Sequence, residues 1–424
     1  MRLSPSSEPA DVDIDQVNLS DPLLYSHGDP HSIWAKMREE APIRRHCRAD
    51  GRSFVSITRY ADVIAVARDH ERFTSRGGTV LSILGMPDPA ADKMLVASDP
   101  PIHTAIREPL TKVLSRRALE PFIPEVQRVV HMMLEPILAG EPFDLAHAIA
   151  PFPMAFAGIL MGIPPEDWPA LTRQSTSAIA PDDPDYRTGN GSGTLASAHH
   201  ELFSYLSRAS AKRAKVPGED LISFFQGITI NNRRLRHDEV VYNCYSMLLG
   251  ANVTTPHTVT GTIAALAENP VEYDKIVDAA TVQSAVEEGL RWSTPTIHFM
   301  RHVLVDTRVG DVDLRAGEAV VLWLASANRD IEAFPDPFRF SVTRKPNRHV
   351  AFGFGPHFCV GAPLARIALR LLFEEICKVV ERFEVVGPIV HLGSNFVGGM
   401  KSMPILARLR PGASDVIRQS TARR

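Results

Sequence analysis

The stretch 349-HVAFGFGPHFCVGAPLARIALR-370 decides how this chain is read. Gly353, Gly355 and Gly361 surround Cys359, and a helix with proline near its start is predicted over 363–383. A chain that turns sharply on glycines ahead of a helix can aim backbone N–H groups at the cysteine sulfur. Those donors and the positive helix end favour a thiolate. Such a sulfur is a nucleophile or a metal ligand. A nucleophile needs a base, and His357, two positions away, is not positioned as one by spacing alone. The bland alternative is an inert core cysteine. The glycine cage argues against it.

Phe352-Gly353-Phe354-Gly355-Pro356-His357-Phe358-Cys359-Val360-Gly361 resembles the cysteine-ligand segment of the haem-thiolate monooxygenases, the cytochrome P450 family. The resemblance implies a mainly α fold with small β-sheets (α+β), a triangular prism-like single domain around haem b. Cys359 is then the proximal iron ligand, whose electron donation favours O–O cleavage. Val360 and Gly361 are expected near the porphyrin. Phe352 is expected to shield the thiolate, and His357 to approach a propionate.

Working outward, Glu288-Gly289-Leu290-Arg291 matches the family's E-x-x-R helix motif. On residues alone, an exposed i,i+3 pair is worth only about 0.2–0.5 kcal/mol. In the family the pair is buried and joined by an arginine from the loop before the cysteine. Arg339, in 334-FPDPFRF-340, matches that position and carries a rigid donor fork. These three residues are expected to support the cysteine loop without touching substrate. Upstream, 99-DPPIHTAIREPL-110 resembles the helix that meets the haem edge. His103 and Arg107 carry over as propionate partners, as does Arg301.

The segment 235-LRHDEVVYNCYSMLLGANVTTPHTVTGTIAALAENP-270 reads as one long core helix with a local distortion near Pro256. Gly250-Ala251-Asn252-Val253-Thr254-Thr255 stands where the family usually carries Ala/Gly-Gly-x-Asp/Glu-Thr-Thr/Ser. The small residues at Gly250 and Ala251 let backbone approach a bound molecule closely, and Thr254 keeps the hydroxyl. Val253 replaces the acid and cannot relay a proton; general-acid help is typically worth about 10²–10⁴-fold. Water held by Thr254 and Asn252 can replace the carboxylate and leave monooxygenation intact. Alternatively, hydrogen abstraction ends in C–C or C–N coupling without net oxygen insertion. A substrate group can complete the relay in either case. His257 is a substitute proton carrier or a structural histidine.

The family's substrate-contact regions carry over onto Thr79, Leu84 and Met86, onto Thr294, Thr296 and Ile297, and onto Phe396 and Val397. Ala251 and Asn252 join them. Their mixture suits a mid-sized organic substrate with a few polar anchors. Residues 76–94, rich in Gly and Pro, read as a long functional loop. Arg76 at its start holds a carbonyl or carboxylate, or is an ordinary exposed arginine. The break at 178–193 is a solvent loop or a mobile lid.

Cys47, Cys244, Cys359 and Cys377 include no CxxC pair, so structural zinc and dithiol chemistry find no support. Neither a fused flavin domain nor iron–sulfur spacing is visible. The resemblance therefore implies a small ferredoxin and a ferredoxin reductase that draws on NAD(P)H, with O2 as co-substrate. Lys112, Arg116, Arg117, Arg344, Lys345 and Arg348 are the basic face such a partner could meet, or simply a solvated face.

The 424 residues carry a net charge of −3, which recruits neither nucleic acid nor an acidic membrane. The most apolar run, 151–165, is too short between its prolines to span a bilayer. A cytoplasmic monomer is expected, with a lead-in over 1–25, one catalytic domain over 26–411 and a polar tail over 412–424. Its expected activity is haem-dependent oxidation of a C–H bond in a specialised-metabolism intermediate. Oxidative cyclisation is the alternative within enzymes. A non-catalytic haem protein is the alternative outside them, and Cys359 with Thr254 argues against it.

Overall fold

The computed structural model describes residues 1–6 and 11–413, so most of the expected tail lies outside the described residues. Its main core forms where helices with broad apolar faces stack. The helix His237–Asn252 packs on Pro151–Met161, Thr255–Glu268 packs on Ala279–Ser293, and Ala362–Val379 packs on both Ala279–Ser293 and Ile123–Leu138. Pro151–Met161 is apolar on nearly every side and accordingly buried, from Phe152 through Gly158. No helix among the described residues is long and apolar enough to cross a membrane.

The segment predicted as one long helix is two. His237–Asn252 ends and Thr255–Glu268 begins, with Val253 and Thr254 between them. Pro256 has no N–H to offer the Asn252 carbonyl and its ring crowds that turn. Thr254 takes φ −112° there, and its hydroxyl donates to the Gly250 carbonyl at 3.1 Å. The break therefore falls inside the six-residue motif.

A five-stranded sheet packs beside the helices. Its order is Ile43–Cys47, Ser53–Ile57, Ala319–Trp323, His298–Val303 and Phe73–Thr74. Ala319–Trp323 runs parallel to Ser53–Ile57, with Val320 opposite Val55, and antiparallel to His298–Val303, with Val321 opposite Met300. All five residues of Ala319–Trp323 are buried, as a central strand covered on both faces requires. The sheet joins residues 43–57 to 298–323, segments far apart in sequence.

The described residues of the lead-in are packed against the body of the fold. Met1, Leu19 and Tyr25 are buried, and Tyr25 lies against Trp34 and Trp323 while its hydroxyl donates to the Leu19 carbonyl at 2.8 Å. Asp21 caps the short helix Pro22–His27 through the Leu23 N–H. Isolated apolar residues in a polar segment are enough to hold it once a sheet face is available. The helix expected over 363–383 stops at Val379. Its last residues form the strand Val380–Val385, paired with Pro404–Leu409, which also takes Phe143–Asp144.

Candidate active site

A cavity of about 1070 Å³ opens between the cysteine loop and the central helix His237–Asn252. Phe352, His357, Cys359, Val360 and Gly361 line one side of it. Gly250, Ala251, Val253 and Thr254 line the other. The loop after Phe73–Thr74 contributes Thr79 through Ile83, and the hairpin near the C-terminus contributes Phe396.

The cysteine loop is built on two positive-φ glycines, Gly353 at 72° and Gly355 at 71°. A Cβ at Gly355 would also stand 2.7 Å from the Ala67 carbonyl oxygen. The Cys359 N–H donates to the Phe352 carbonyl at 2.8 Å and closes the turn. Burial pushes the thiol pKa up, against the opposing pull of the Gly361 and Ala362 N–H groups and of Arg107 and Arg366. The donors expected from the sequence are present, but desolvation outweighs them. A bound cation is what turns such a thiol into a thiolate.

Beside the sulfur stands a cluster of basic groups. The rings of His103 and His357 lie 4.4 Å apart, and His357 Nε2 is 3.1 Å from Ser75 Oγ. His103 Nε2 is buried without a partner. Arg301 is buried, with Nη1 donating to the Met300 carbonyl at 2.8 Å, and Arg107 faces the cavity. Burial, then Arg301, His103 and Arg107, press the His357 pKa down to about 2. The nearby carboxylate of Asp99 is engaged by the Thr74 hydroxyl and the Ser75 N–H. The cluster is short of negative charge.

Behind the loop, Glu288 and Arg291 are fully buried and bidentate, with both N–O distances 2.8 Å. The arginine that joins them is Arg344, whose Nε lies 3.1 Å from Glu288 Oε1. This corrects the expectation for Arg339. That side chain is exposed, and the residue contributes only its carbonyl, to Arg291 at 3.4 Å and to Arg344 at 2.7 Å. A further five residues of chain carry Arg344 back over the pair, which spacing to the cysteine does not reveal. Arg344 is thereby removed from the basic face proposed for a partner, whereas Lys112, Arg116, Arg117, Lys345 and Arg348 remain exposed.

The expected pocket residues divide. Thr79, Met86, Thr296 and Phe396 line the cavity, whereas Leu84, Ile297 and Val397 are buried in the core clusters that back it. Thr294 is a helix cap at φ 35°. Its hydroxyl donates to the Arg291 carbonyl at 2.7 Å and accepts from Asn328 at 2.8 Å. Asn252 does not line the cavity: its amide is buried with neither atom partnered. His257 packs its ring against Gly399, outside the cavity, and burial lowers its pKa to about 4. Arg76 pairs with Asp92 at 2.5 Å, so it braces its own loop. His199, Phe203, Tyr242 and Tyr245 line the cavity and were missed. Tyr242, Tyr245 and Leu249 at i, i+3 and i+7, on the face that leads to Val253, were the available signal.

Residues 206–390 match the family model described as Cytochrome P450. The chain is 30% identical to linalool 8-monooxygenase of Pseudomonas putida over 404 residues, covering 93% of this chain and 99% of the relative. The chain belongs to the cytochrome P450 family. Among solved structures, P450 OxyD, involved in the biosynthesis of vancomycin-type antibiotics, is 32% identical at a TM-score of 0.81, covering 93% of this chain and all of that one. A Mycobacterium marinum cytochrome P450 in complex with pseudoionone is 28% identical at a TM-score of 0.86, covering 93% and 99%. A cytochrome P450 holds haem through a cysteine thiolate, and the residues here fit that group. A cavity above the roughly 300–1,000 Å³ of drug-sized ligand sites has room for a macrocycle as well as a substrate. The basic cluster around the orphaned His103 Nε2 lacks the anions that propionates supply. Gly361 lies beside Cys359, and a Cβ there would stand 3.8 Å from Sγ, in ordinary contact.

Proposed function

We propose that this cytochrome P450 inserts oxygen into a C–H bond of a mid-sized, mainly apolar organic molecule, with electrons delivered by an external ferredoxin and its NAD(P)H-dependent reductase. The observation that carries the reading is that Cys359 lines the same cavity as Gly250, Ala251, Val253 and Thr254. Haem, when bound, supplies a redox-active iron at which O2 is reduced. Cys359 Sγ would be the ligand to that iron, Arg107 and Arg301 would supply the charge that balances the propionates, and His103 and His357 would offer them ring N–H donors. Phe352 and Val360 keep water from the sulfur.

On the opposite wall, Gly250 and Ala251 leave space beside the helix backbone. Thr254 Oγ1 is the proton-handling atom. Its own proton is held by the Gly250 carbonyl at 3.1 Å, so its lone pairs are free to accept from a water and hold it in place as the proton donor. Val253 contributes no proton: it belongs to an apolar cluster with Ile179, Leu392 and Val397. Thr79, Thr296 and Asn395 supply scattered polar groups on an otherwise apolar lining, which suits a hydrocarbon frame with a few oxygen functions. A relative named for linalool and a neighbour that holds pseudoionone support a substrate of that kind.

The test is substrate-dependent O2 consumption by the haem-loaded enzyme with a surrogate ferredoxin and reductase, read together with product mass. A product heavier by one oxygen supports the reading. A product lighter by two hydrogens replaces it with oxidative coupling.

A further inference from the structure

Far along the central helix from Thr254, the cavity wall changes character. Tyr242 and Tyr245 from that helix face His199 and Phe203 from the helix Gly191–Lys215, and all four line the cavity. Phe203 stacks on Tyr245 with centroids 4.6 Å apart and planes at 20°, and meets Tyr242 edge-on at 5.3 Å. Lys93 holds the Tyr242 ring from 5.5 Å while its ammonium also pairs with Asp238 at 3.3 Å. The rings are therefore fixed by one another and by a neighbouring loop. A fixed, partly open aromatic surface favours offset or edge contact with another flat π-system over a puckered saturated ring.

The polar tips add a second feature. Tyr245 Oη and His199 Nε2 are 3.0 Å apart. If the phenol donates, neutral His199 carries its proton on Nδ1. If Nε2 donates, the phenol keeps its O–H. Either arrangement leaves one donor that the pair itself does not use. Tyr245 lies six residues before Ala251 and Tyr242 nine. At about 1.5 Å per residue the wall stands roughly 9–14 Å along the helix from the segment that faces Cys359.

We infer that the aromatic wall is an anchor and a ruler: the substrate carries a flat, unsaturated ring bearing an oxygen acceptor, held by Phe203, Tyr245 and His199. Its oxidised carbon lies about 9–14 Å away at the Cys359 end. The inference rests on the monooxygenase reading and adds the substrate's shape and the polarity of its far end. Phe203 and Tyr245 act as specificity residues; neither touches the reacting atoms.

Three probes of equal length separate the contributions: 4-butylacetophenone, its cyclohexyl counterpart, and 4-butylethylbenzene, which lacks the oxygen. Binding to haem-loaded enzyme is read by calorimetry and by the Soret spin-state shift. Wild type is expected to bind the aryl ketone most tightly. Tyr245→Phe combined with His199→Phe keeps both positions aromatic, removes the donor in either arrangement, and is expected to weaken that probe about three- to tenfold, to the level of the oxygen-free one. Phe203→Leu is expected to abolish the preference for the aryl over the cyclohexyl ketone. Equal affinities for all three probes in an enzyme with an intact thiolate-type carbon monoxide spectrum would overturn the wall alone. Absence of that spectrum in wild type would overturn the monooxygenase reading and the wall with it.

Discussion

Arg344 Nε lies 3.1 Å from Glu288 Oε1 and completes a buried carboxylate site that also receives Arg291, the Ser341 N–H at 2.9 Å and Asn347 Nδ2 at 3.2 Å. One carboxylate thus pins three points of the approach to the cysteine loop onto the helix Ala279–Ser293. Without Arg344, Glu288 keeps its bidentate pair with Arg291 but loses a buried charge-assisted hydrogen bond, and the carbonyls of Pro335, Asp336 and Arg339 each lose a donor, at an expected cost of about 1.5–3 kcal/mol. Arg344→Leu is expected to fall in that range by urea denaturation and to shed haem more readily. Arg339→Leu is expected to stay within about 0.5 kcal/mol of wild type, as for other exposed positions. Equal losses for the two variants would restore the assignment read from the sequence.

A second carboxylate on that helix makes stability pH-dependent. Burial alone would raise the Glu287 pKa, but Arg366 at 2.7 Å and His349 at 3.1 Å overcome it and hold the group at about 2. A folded pKa below the unfolded one stabilises the fold above the unfolded pKa, here near 4.5, and the contribution is lost as pH falls toward 2. At neutral pH it is on the order of 3 kcal/mol. Glu287→Gln is expected to lower stability at pH 7 and to flatten the dependence between pH 4.5 and pH 2, measured by denaturant midpoints across that window.

Val253 stands where the family resemblance leads one to expect an acid, and it belongs to an apolar cluster. Val253→Asp places a carboxylate at the cavity edge, packed against the apolar Ile179, Leu392 and Val397. The burial raises the folded pKa of the new group, so the stability deficit is expected to be small below about pH 4 and to grow as pH rises. A variant as stable as wild type at pH 8 would show that the position still accommodates an acid.

The loop between the helices Trp168–Ile179 and Gly191–Lys215 is latched. Buried Asp183 accepts from the Gly393 N–H at 2.7 Å and from Lys401 at 2.7 Å, while Lys401 also reaches Asp185 at 2.6 Å. Lys401→Met leaves Asp183 with its backbone donor but no cation. The expected cost is about 2–3 kcal/mol, with faster hydrogen exchange over 180–187. Unchanged exchange there would show that the Gly393 contact suffices.

Much of this was legible in the residues. The glycine-built turn at Cys359 and the Glu288–Arg291 pair are local features that short motifs specify, whereas His103, Arg107, Arg301 and His357 meet from three separate segments. What escaped were features set by chain return and packing. Arg344 reaches Glu288 through a loop whose path no spacing encodes. The lead-in is bound because Tyr25 packs on Trp34 of the next helix and on Trp323 of a distant strand. Asn252 turns away from the cavity because the helix breaks one turn later at Pro256, and a residue beside a break cannot be assigned a face from a regular period. The aromatic wall joins two helices, so only one half of it was visible as a stripe.

The decisive measurement is the spectrum of the reduced, carbon monoxide-bound protein, taken for wild type and for Cys359→Ser. Ligation by Cys359 requires the thiolate-type Soret shift in wild type and its loss in the variant, with haem still bound by the basic cluster. An identical spectrum in both proteins would contradict the assignment of Cys359 and the reading built on it.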